Sequence, residues 1–180
     1  MDPGRLAMDG LLLGVAAAGA VMDVRAGKVR NSLTYGGCLA GLLLNAVVRP
    51  AGLGLGPALL GMLVAGGPLF VVYLAGGLGG GDVKLAAAVG AFLGPLAAAY
   101  ALLYACLMGA VLAVGLILWK EGYTGVVVRV CAVFGFSRKE FALLLPLRFP
   151  FAVAILVGTA WALTERNLGG SVLDLVFGRR

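Results

Sequence analysis

LAAAVGAFLGPLAAAYALLYACLMGAVLAVGLILW, Leu85 to Trp119, runs for 35 residues without a charged side chain. At 1.5 Å per residue, one straight helix of that length would overrun the ~30 Å hydrocarbon core of a bilayer. Gly94-Pro95 is the natural break, because proline cannot continue the preceding turn. The stretch therefore predicts two elements: a short fourth helix (Leu85–Leu93) dipping into the membrane, and a full fifth (Leu96–Trp119). Working outward, the remaining apolar runs predict a first span over Gly10–Met22, extended to Leu6 and Val24. A second is expected over Leu33–Val48, a third over Ala58–Ala75 that should kink at Pro68, and a sixth over Phe149–Leu163.

Composition agrees. The chain is 62% hydrophobic and 12% charged, against about 45–50% and about 25% for a soluble domain. Its mean hydropathy is +1.06. The apolar runs are continuous rather than alternating, which excludes barrel strands. Thirty glycines suit close helix packing in lipid. The expected fold is an all-α, polytopic membrane protein of about six transmembrane helices with a short fourth helix. It forms a single domain with its core at about residues 11–163.

Charge sets the expected topology. Arg25, Lys28 and Arg30 follow the first run and place that loop in the cytoplasm by the positive-inside rule. The N-terminus is then outside. Lys84, Lys120, Arg129, Arg138, Lys139 and Arg148 fall on the cytoplasmic side, whereas Arg5, Arg49, Arg166, Arg179 and Arg180 fall outside. Val126–Phe136 reads as a segment lying flat on the membrane surface. Ala18-Gly19-Ala20 looks like a cleavage site, but the cations follow the apolar run instead of preceding it, the reverse of a signal peptide. The high pI of about 9.6 is read as topology, not nucleic-acid binding. The chain has no histidine, and Cys38, Cys106 and Cys131 are scattered singly. This argues against a metal site or a thiol–imidazole dyad; no cofactor is expected.

Of eight acids, Asp2, Asp9, Glu121, Glu140, Glu165 and Asp174 read as solvated charges in tails, loops or helix ends. Asp23 and Asp82 differ. Both are expected at the cytoplasmic ends of spans, on different helices. Two carboxylates meeting in a partly dry site cannot both ionise cheaply, so the pair holds one proton. Such a pair can act as general base and general acid. On spacing alone, a proteolytic pair, a proton or ion pathway and simple loop anchors all remain open.

Gly79-Gly80-Gly81-Asp82-Val83-Lys84-Leu85 resembles the Gly-x-Gly-Asp-Val-Lys-Leu signature of the type IV prepilin peptidases, which are polytopic aspartic proteases. Asp23-Val24-Arg25 to Val29-Arg30-Asn31 is similar to the family's first motif, with Arg30 where proline is usual. Leu93-Gly94-Pro95 and Leu145 to Phe151 are looser likenesses. The resemblance implies catalysis by Asp23 and Asp82. Gly79 and Gly81 would allow close approach to Asp82 or substrate, and Lys84 would tune Asp82 or bind a substrate acid. Arg25 and Lys28 would mark topology or contact substrate. The implied partner is a pilin-like precursor, pilin or pseudopilin, cleaved at the cytoplasmic face of the plasma membrane. The larger members carry an N-terminal segment with paired cysteines, linked to N-methylation. The chain is expected to match the short, peptidase-only members such as those serving Flp/Tad pili. A small proton- or ion-coupled transporter using the same two Asp is the alternative reading, and a non-catalytic scaffold a third.

Overall fold

The computed structural model describes residues 3–47, 54–134 and 151–168. They form α1 (Pro3–Ala26), α2 (Asn31–Val47), α3 (Leu55–Leu74), α4 (Gly80–Leu93), α5 (Pro95–Phe134) and α6 (Phe151–Leu168). No strand occurs among the described residues. By length and composition, α1, α3 and the part of α5 up to Trp119 are long and apolar enough to cross a membrane. The protein is thus an all-α polytopic membrane protein.

The short helix α4 is the centre. Its 14 residues span about 21 Å, less than a bilayer core. All but four of them are buried, with Leu85, Ala88 and Ala91 fully so. It packs most extensively against α3 and α2, and also touches α1, α5 and α6. Small residues make this possible. A Cβ placed on Gly61 of α3 would lie 2.1 Å from the Gly90 carbonyl oxygen of α4, and the converse distance is also 2.1 Å. The larger apolar side chains point the other way: Leu59, Leu63, Phe70, Val71, Leu107 and Val111 are exposed on the outside of the bundle. That inversion suits lipid, which solvates leucine as well as a protein core does, so helix contacts rest on close backbone approach.

Gly94 ends α4 with φ 73° and ψ 177°, a region essentially restricted to glycine, and Pro95 opens α5. The predicted break is therefore observed, and its geometry shows why glycine precedes the proline. Carbonyls left open at this end are met from α2. Asn45, fully buried, donates from Nδ2 to the oxygens of Ala91 (2.8 Å) and Gly41 (3.0 Å). Replacing Asn45 with alanine should lower stability by about 1–2 kcal/mol, because a buried carbonyl loses its donor. Thermal unfolding in detergent measures it.

Several sequence expectations are corrected. The fourth helix starts at Gly80 rather than Leu85, so Asp82 and Lys84 sit in helix instead of a loop; three small residues let the chain turn directly into it. The sixth runs to Leu168, so Glu165 and Arg166 are helical rather than tail residues. The segment after Trp119, expected as loop, is helical to Phe134 with a break at Gly122 (φ 69°, ψ −167°). The end of the surface segment, at Gly135 and Phe136, lies outside the described residues, as do Val48–Leu53.

Asp9 and Glu165 are also not solvated. Both are buried. Arg166 of α6 pairs with Asp9 of α1, and Glu165 accepts hydrogen bonds from the Tyr104 hydroxyl (2.8 Å) and Trp161 Nε1 (3.0 Å). The physical reason is a register invisible in one segment alone: α6 runs antiparallel to both α1 and α5, which brings these ends together.

Candidate functional site

Asp23 lies in the last turn of α1. Its backbone carbonyl accepts the Gly27 N–H at 2.7 Å, which closes the helix just before the basic loop. The side chain is half-buried, and Oδ2 accepts the Ala152 N–H at 3.3 Å from the first turn of α6.

Asp82 lies in the first turn of α4. Gly79 caps that helix: its carbonyl accepts the Asp82 N–H at 3.1 Å. A Cβ at Gly79 would stand 3.1 Å from Asp82 Oδ2. Gly79 therefore leaves room for the acid it caps. A Cβ at Gly81 would stand 3.0 Å from the Val29 Cβ, so this glycine lets the start of α4 lie against the basic loop after α1. Asp82 is 8% exposed, and its Oδ1 has no hydrogen-bond partner among the described residues.

Asp23 and Asp82, remote in sequence, line one cavity of about 930 Å³. They are near enough for the Asp23 charge to act on Asp82. Arg25 and the glycines Gly76, Gly77 and Gly79 line the cavity on one side, with Val24, Ala26 and Leu78 among them. Leu69 and Val72 of α3, Phe151 of α6, and Cys106, Gly109, Ala110 and Ala113 of α5 form an apolar side. A buried acid with one oxygen unpartnered among the described residues, beside a second carboxyl, can hold and pass a proton at a group entering the cavity. Among the described residues no three His, Cys, Asp or Glu side chains converge as metal ligands, and Cys38 and Cys106 are free thiols.

The other sequence-predicted residues divide. Gly79 and Arg25 line the cavity; Gly81, Lys28 and Lys84 do not. Lys84 points to α2 instead, where its Nζ donates to Asn31 Oδ1 at 2.9 Å and sits 4.8 Å from the Tyr35 ring centroid. It ties α4 to α2. The reading from residues missed the α5 face and the Ala152 amide. The former had a signal in the spacing of Cys106, Gly109, Ala110 and Ala113, small residues on one helical face. A backbone amide has none.

No curated protein and no solved structure matches the chain significantly. The sequence profile of the type IV leader peptidase family matches residues 10–114, more than half of the chain. The match runs from α1 through most of the spanning part of α5 and includes both acids. By this match the chain belongs to the type IV leader peptidase family.

Proposed function

We propose that this membrane protein is an aspartic endopeptidase that removes the leader from pilin-like precursors at the cytoplasmic face. The observation that carries the reading is the meeting of Asp23 and Asp82 in one cavity with an apolar side. One carboxylate takes a proton from water as its oxygen bonds to the peptide carbonyl carbon. The other, protonated, gives its proton to the carbonyl oxygen. Collapse of the tetrahedral diol breaks the C–N bond, and a proton passes to the departing amine. The chemistry needs no covalent intermediate.

The cytoplasmic placement rests on the basic loop beside the cavity: Arg25 lines that cavity, with Lys28 and Arg30 following, the pattern expected of an inward-facing loop. A substrate would present its leader junction from the water side while its apolar helix stays in lipid. The test is incubation of the purified protein with a candidate precursor. A size shift by the leader mass at one junction is the expected result. Intact precursor together with Asp-dependent proton or ion flux in proteoliposomes would assign the chain to the transporter class. Labelling of Lys28→Cys from the cytoplasmic side and of Arg49→Cys from outside checks the orientation.

A further inference from the structure

We infer that the start of α6 orients Asp23, and that Gly109 of α5 sets the position of that start. This rests on the aspartic peptidase reading. The Ala152 N–H donates to Oδ2 of Asp23 at 3.3 Å. A carboxylate that moves a proton in a reaction must be fixed to a fraction of an ångström, and misplacement by ~1 Å costs about 10²-fold. Asp23 stands at the end of α1, where the chain turns at Gly27, so it gains its rigidity from a neighbour.

That neighbour is held at two points. At the far end of α6, Arg166 pairs with Asp9 and Glu165 accepts from Tyr104, which ties that end of α6 to α1 and α5. At the near end Phe151, 8% exposed, packs against Gly109. A Cβ on Gly109 would lie 3.0 Å from Phe151 Cε2 and 3.4 Å from Cδ2. An added methyl therefore requires the ring to give by a few tenths of an ångström; because the ring is buried, the backbone up to the Ala152 amide is inferred to shift with it. Gly109 is a positioning residue acting through Phe151 and Ala152 on Asp23. Phe151 and Ala152 lie beyond the family match at residues 10–114, whereas Gly109 and Asp23 lie within it.

The test compares cleavage kinetics of the full-length protein in detergent or liposomes. Gly109→Val should lower kcat about 10-fold with KM nearly unchanged, and Gly109→Ala several-fold. Adding Phe151→Leu to Gly109→Ala should restore most of the loss, because the smaller side chain makes room for the methyl. Should Gly109→Val fail to accumulate, Gly109→Ala carries the measurement. Replacing residue 152 by lactic acid, which removes the N–H and keeps the methyl, should lower kcat similarly. A rise in KM alone, without rescue by Phe151→Leu, would mean that the methyl only fills the cavity and would overturn the inference. An unchanged kcat for the lactic acid variant would also overturn it. Asp23→Asn is measured alongside: if it cleaves normally, the aspartic reading itself has failed; if it is inactive while Gly109→Val is normal, only the positioning role has failed.

Discussion

Asp23→Asn and Asp82→Asn each abolish leader cleavage, with a loss of about 10²–10⁴-fold or more, while both variants still accumulate in the membrane. Asparagine has nearly the volume of aspartate and keeps a carbonyl oxygen. In the first variant that oxygen still accepts the Ala152 N–H. What is lost is the ability to carry a proton. Because the two acids act as a unit, the double variant should be little worse than either single one. In the unaltered protein kcat/KM should follow a bell in pH. At low pH both carboxyls are protonated and no base remains; at high pH both are ionised and no acid remains. The two limbs belong to the pair rather than to either residue. Normal cleavage by either Asn variant would remove the pair from the mechanism.

Gly61→Leu and Gly90→Leu each prevent accumulation of a folded protein, whereas Gly67→Ala, also in α3, leaves it intact. At Gly61 a Cβ would stand 2.1 Å from the backbone oxygen of Gly90, and at Gly90 it would stand 2.1 Å from that of Gly61. Backbone cannot rotate away as a side chain can, so α3 and α4 would have to separate along their crossing. That separation would open α4, the helix that carries Asp82, and would disrupt its packing against α2 as well. Overpacking of a close core commonly costs about 1–3 kcal/mol for an added methylene, and a branched side chain against backbone costs more. Gly67 has nothing within 4 Å, and alanine there favours helix over the unfolded chain. Membrane yield and size-exclusion profiles of the three variants measure the difference.

Much of this molecule is written locally. The Gly94-Pro95 break follows from two residues with fixed conformational preferences, and it appears where expected. The membrane class follows from composition. Asp82 stood out as an acid opening an apolar segment, and the motif around it carried the family likeness that the profile match supports. Lys84 was legible as part of that motif, but its direction was not. One turn of helix, from Gly80 instead of Leu85, decides that it faces Asn31 and Tyr35. Asp9 and Glu165 were misread as solvated because their partners, Arg166 and Tyr104, lie on other helices, and only the antiparallel registers of α6 with α1 and α5 reveal them.

The amino-acid sequence by itself determined that the chain is helical, that it lives in a membrane, where α4 stops, and which two acids stand apart. These properties depend on residues within a few positions of one another and on the solvent their side chains require. Only the tertiary structure decided that Asp23 and Asp82 share a cavity, that Gly61 and Gly90 bring α3 and α4 into backbone contact, and that the first turn of α6 supplies an amide to Asp23. Those arrangements are contacts between distant segments, and their most important partners are backbone atoms and missing side chains, which every sequence contains and none labels.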